Sequence, residues 1–127
     1  MSDKKFRYAK FSEFKFKSLS QDSITKYIEE AKVILDIQHP SQTGLTMRTI
    51  EMLGANRKII TTNTDIKNYD FYTPENVFIL DRNNPKLDKS FFESSYEQIY
   101  PQIKFNYSIE GWIRELFSLD SYFSPKE

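Results

Sequence analysis

The chain contains no cysteine, so disulfides and thiolate metal sites are excluded. It has one histidine, and no Asp/Glu cluster falls at ligand spacing. No protein-held metal and no cofactor bound by protein ligands is therefore expected. No apolar run approaches the roughly 18 residues of a membrane-spanning helix. The opening MSDKKFRYAKF is charged but lacks the continuous apolar stretch of a secretory signal. Together these absences fit a cytoplasmic protein. Glycine is also scarce, with three in all, so each one needs a local reason.

What is present suits one globular domain over residues 1–127. The 127 residues are 39% hydrophobic and 28% charged, with no net charge. The charge is uneven. Residues 1–17 hold six cations against Asp3 and Glu13, a local net of +4, which leaves −4 for the remainder. A basic, aromatic-interleaved start can touch nucleic acid or a membrane surface. The simpler reading is a lysine-protected edge strand. No nucleic-acid partner is expected, and contact with the inner face of a membrane stays open. Aromatics reach 16%, but Lys, Ile, Asn, Phe and Tyr are abundant together, the bias of AT-rich coding, so their number carries no function.

Along the chain, Phe6, Tyr8, Phe14 and Phe16 alternate with charge and read as strand, with a turn or bulge near Phe11. Ser20 or Asp22 caps a helix whose apolar face is Ile24, Tyr27, Ile28 and Ala31. Residues 33–37, VILDI, form a short β-branched run expected to be a strand buried on both faces. A loop follows at His39–Gly44, then a helix over 45–54 with Leu45, Thr49, Ile50 and Leu53 on one face. Gly54-Ala55-Asn56 reads as its stop. Residues 58–62 read as a second buried strand, 64–75 as turn-rich with a short helical stretch, 77–80 as a third strand and 82–90 as loop. Ser108 caps a last helix in which Ile109, Trp112, Ile113, Leu116 and Phe117 share a face, with Trp112 as its core anchor. This alternation predicts an α/β, Rossmann-like parallel sheet flanked by helices.

Ligands of such sheets sit at the carboxyl ends of the strands. That rim would gather the 38–46 loop, Thr62-Asn63 and Asp81-Arg82. The amides of Gly44, Leu45 and Thr46, at a helix start, suit a diphosphate, with Thr43 and Thr46 adding hydroxyls. Arg48, one turn in, can reach back to a phosphate. The alternative is an ordinary strand-to-helix turn. Glu51 can bridge the two hydroxyls of a ribose, or it can sit in solvent or pair with Arg48 three residues away. His39 follows a strand end, where catalytic and substrate-contacting groups occur, but it also suits a structural hydrogen bond.

Residues 33–63, VILDIQHPSQTGLTMRTIEMLGANRKIITTN, resemble the C-terminal, nucleotide-sugar-binding domain of GT-B glycosyltransferases. Within that class they look most like the group 1-like enzymes of bacterial capsule and lipopolysaccharide biosynthesis. Gly44 matches the loop glycine, Glu51 the second Glu that in the family contacts the donor ribose, Gly54 the helix-end glycine, and 59–63 the following strand with Asn63 at its polar end. Thr43 stands where the family has its first Glu. The resemblance implies a donor half that binds a nucleoside diphosphate sugar, with the N-terminal GT-B domain absent from these 127 residues. Alone it is expected to bind donor weakly and to transfer little sugar. Its partner would be a separate N-terminal glycosyltransferase domain or, if the sheet survives only as a scaffold, a binding partner or a second copy of itself.

Overall fold

The computed structural model describes Lys10, Ser12 and residues 17–118. The expected strand over residues 5–17 lies almost wholly outside the described residues. Three parallel strands form the sheet in the order β1 (Val33–Asp36), β2 (Lys58–Thr61), β3 (Val77–Ile79). Ile34 pairs with Ile59 and Ile59 with Val77, so alternate residues across the three strands share a face. Ile34, Asp36, Ile59, Thr61 and Val77 lie on one face; Leu35, Lys58, Ile60 and Phe78 lie on the other. Helix α1 (Gln21–Glu30) precedes β1, and α2 (Met47–Ala55) links β1 to β2. A 3-10 turn at Thr64–Asn68 lies between β2 and β3, and the short helices α3 (Lys89–Glu93), α4 (Pro101–Asn106) and α5 (Ile109–Leu116) follow. This is an α/β fold with a parallel sheet flanked by helices, consistent with a Rossmann-like half.

Local chemistry explains the boundaries. Ser20 caps α1 by accepting from the Ser23 amide. Arg57 then closes the far end of that helix, donating to the carbonyls of Ile28 and Glu29. Thr46 caps α2, accepting from the Thr49 amide and donating to Asp36 Oδ2 at 2.8 Å. The helix therefore starts at Met47, two residues later than the apolar pattern implied. It stops at Asn56, which takes the left-handed conformation (φ 53°) and accepts from Lys104 Nζ at 2.7 Å. Replacing Thr46 by Ala removes both bonds and is expected to lower stability by about 1 kcal/mol, read as a fall in the urea midpoint at unchanged slope.

The core lies between the first face and α2. Ile34, Met52, Leu53, Ile59, Ile66, Phe71 and Val77 interlock there, joined by Ile99. All four residues of β2 are buried, as a central strand requires. Asn76, fully buried, uses its amide twice on the Glu97 backbone, donating to the carbonyl at 2.7 Å and accepting from the amide at 2.9 Å. That pair holds the chain after α3 against the start of β3.

Two expectations need correction. VILDI is not buried on both faces: β1 is an outer strand of the described sheet, and Leu35 is 61% exposed with Ile37 beside it at the surface. On the face of Leu35, α3 covers β2 and β3 through Phe91 against Phe78. Nor is Trp112 a core anchor; it is 60% exposed. Helix α5 meets α4 through Gly111, whose missing side chain allows backbone contact. That choice turns Ile109, Trp112, Leu116 and Phe117 outward.

Candidate functional site at the sheet rim

The strand ends and the α2 start converge as the topology requires. Thr62, just past β2, bridges its neighbours: its hydroxyl accepts from the Gln38 amide at 3.1 Å and from an Arg82 guanidinium nitrogen at 3.0 Å. Its own amide donates to the Asp36 carbonyl. Gln38 and Asn63, both buried, donate their side-chain amides to the carbonyl of Gly44, each at 3.0 Å. Gly44 sits at φ +78°, a conformation that a side-chain-bearing residue adopts only with strain. The loop between β1 and α2 is thus pinned at Gly44 from the ends of two strands.

The expected residues divide into those left open at the surface and those committed to the fold. Met47 and Arg48 carry the amides ahead of the first helical hydrogen bond, so the exposed donors of the α2 start lie slightly later than the expected Gly44–Thr46 set. Leu45 packs against the core. Thr46 spends its hydroxyl on the cap and on Asp36. Thr43 is exposed on the loop. Asn63 is buried and committed, holding Gly44 with its nitrogen and the Asp65 amide with its oxygen. It organises the rim and leaves ligand contact to others.

Arg48 and Glu51 meet each other: the guanidinium lies 2.6 Å from the Glu51 carboxylate, both half-buried. Glu51 lines a depression with Gln21 and Thr25 of α1, on the flank of α2 and away from the strand ends. Pairing at three residues' spacing, the simpler of the two sequence readings, is what the fold adopts. His39 is exposed at the loop start, where its Nδ1 accepts from the Ser41 amide at 3.3 Å and stands 2.8 Å from the Ser41 hydroxyl.

Arg82 and Gln38 are the residues sequence reasoning passed over. Arg82 lay on the expected rim but was given no role; the strand-end position and its charge were the available signals. Gln38 carried no signal, because its partner is a backbone carbonyl six residues on. Chemically, the rim offers a cation at Arg82, an exposed imidazole at His39, and two amides at the positive end of α2. The neighbouring groove of about 510 Å³ between α1 and β1 is apolar instead, lined by Leu19, Ile24, Tyr27, Ile28 and Leu35.

Among the described residues no three His, Asp or Glu side chains converge as a metal site. No described helix is long and apolar enough to cross a membrane. Searches against protein families, curated proteins and solved structures match nothing to this chain.

Proposed function

We propose that the rim binds the diphosphate of a nucleoside diphosphate sugar, and that the chain is a donor-binding half of a GT-B-like glycosyltransferase serving polysaccharide assembly. The observation that carries the reading is the double pinning of Gly44, which fixes the loop at positive φ beside the α2 start. A loop held this rigidly loses little entropy when an anion docks. The Met47 and Arg48 amides and the Arg82 guanidinium would hold the phosphate oxygens, and they would stabilise the diphosphate as it leaves the sugar. The ribose role of Glu51 requires it to leave Arg48, so that contact is the weaker part of the reading. Because the rim is open, affinity rests on charge and falls with salt.

Calorimetric titration tests this. UDP is expected to bind with a dissociation constant of order a millimolar, about −4 kcal/mol, and uridine without phosphates more weakly. Arg82→Ala should weaken UDP about tenfold, as expected for loss of one charge-assisted bond. Equal binding of UDP and uridine would remove the phosphate from the account.

One observation favours a second reading, an interaction module: Ile109, Trp112, Leu116 and Phe117 of the α5 segment are all exposed. Sedimentation decides it, since self-association lost on Trp112→Ser, with no nucleotide binding, would replace the donor-site reading.

A further inference from the structure

At the opposite end of the sheet, Lys58 opens β2 on the face that α3 covers. The residue is only 2% exposed. Its Nζ donates to the Ser94 hydroxyl at 2.6 Å and to the Phe91 carbonyl at 2.9 Å, and it lies 4.8 Å from the centre of the Phe91 ring. No carboxylate stands within ion-pairing distance of it among the described residues. Burial, and then repulsion from Lys32, lower its pKa; Glu75 acts weakly in the opposite direction. Ser94, by contrast, is exposed. It borders a depression of about 280 Å³ walled by Pro74, Phe78 and Phe91, with Glu75 and Asp88 at its edge. Lys89 and Glu93 of α3 pair with each other.

We infer that Ser94 and Lys58 form a serine–lysine pair able to take an acyl group from a small ester, with Ser94 the nucleophile and Lys58 its base. The amine is buried and meets no carboxylate among the described residues, the Ser94 hydroxyl lies 2.6 Å from it, and an apolar-walled depression adjoins Ser94. A neutral Lys58 accepts the Ser94 proton as Oγ adds to the ester carbonyl. The tetrahedral adduct then expels the alcohol oxygen, breaking the C–O bond, and the leaving oxygen takes the proton from Lys58. Water, deprotonated by the same amine, releases the acyl group as a carboxylic acid and restores the serine. The same contacts tie α3 to the sheet, but a purely structural tether would not make Ser94 chemically reactive.

The test is p-nitrophenyl acetate with the full chain, following nitrophenol release and locating the acetyl group by peptide mass. Acid quenching should trap up to one acetyl per chain, on Ser94, and nitrophenol release should rise with pH and level below lysine's ordinary pKa of about 10.4. Ser94→Ala, a surface change, should abolish it. Lys58→Arg keeps a cation and its donors but cannot deprotonate, and should slow acylation about 100-fold or more. Acetyl found on Lys58 or only on other lysines, no acylation, or wild-type rates in folded Lys58→Arg would each overturn the inference. If Lys58→Arg fails to fold, the Ser94→Ala result and the wild-type pH profile decide alone.

Discussion

Phe71→Ala is expected to bring the domain close to unfolding at ordinary temperature. Phe71 is 1% exposed, stacked on Tyr69 with ring centroids 5.6 Å apart and meeting Tyr107 edge-on at 5.0 Å. It joins the sheet core to the C-terminal helices, because Tyr107 follows α4 and donates its hydroxyl to Asp70 at 2.8 Å. Burial, followed by that hydrogen bond, raises the Tyr107 phenol above its ordinary pKa, so the contact persists across neutral pH. Truncating a buried aromatic costs about 3–5 kcal/mol, against a net stability of roughly 5–15 kcal/mol for a domain. Two aromatic pairs are lost in addition to the buried area. A calorimetric scan should show the transition lowered by about 15–30 °C, at roughly 4–8 °C per kcal/mol. A shift below about 5 °C would mean that the tyrosines repack over the space.

The second large effect is expected at Gly111. A methyl there would lie 2.1 Å from the Phe105 carbonyl oxygen, 2.9 Å from its carbon and 3.1 Å from Asn106 Cα. These are backbone atoms, so no side chain can swing aside. The Phe105 carbonyl is also fixed, accepting from the Ser108 amide at 2.9 Å and the Ser108 hydroxyl at 2.6 Å. Gly111→Ala must therefore move α5 off α4, at a cost at or above the upper end of the roughly 1–3 kcal/mol for overpacking. Hydrogen exchange should lose protection over 109–116 while β2 keeps it. Gly54 is the internal control. It lies in α2, and an added methyl would meet nothing within 4 Å. Gly54→Ala should stabilise by about 0.5–1 kcal/mol from helix propensity. Two glycine-to-alanine changes of opposite sign would show that close approach, rather than flexibility, selected Gly111.

These two sites mark where periodicity stops being informative. Strands β2 and β3, the Ser20 cap and the Asn56 stop were legible, because each depends on neighbours in sequence. The outward face of α5 was not. Ile109, Trp112, Ile113 and Leu116 make a regular apolar stripe, yet the packing surface is set by Gly111 and a carbonyl six residues earlier. The exposure of Leu35 depends on β1 lying outermost in the described sheet, which VILDI alone does not encode. Helices α3 and α4 have five and six residues, too short for a 3.6-residue period to emerge. Lys58 reads as an ordinary polar strand start until α3 closes over it.

The strand-end geometry of the rim was legible in the sequence, and the local contacts within it were not. One glycine between a strand and a helix pointed to the pinned loop, and strand polarity brought Arg82 and Thr62 together. The cap fell at Thr46 because Asp36, across the loop, holds its hydroxyl; no local pattern reports that contact. Of the two readings open for Arg48, a phosphate or Glu51, the unliganded fold shows the second, at 2.6 Å. A pair so close along one helix forms without any ligand, so on the proposed reading a donor would displace it or use the backbone amides alone.

Backbone amide shifts during a UDP titration test the rim most directly. Binding there predicts saturable shifts at Gly44, Leu45, Met47 and Arg48 and at Arg82 by millimolar nucleotide, weakened by added salt. Shifts absent from these residues at that concentration, or centred instead on α5 or on the Lys58 end of the sheet, would contradict it.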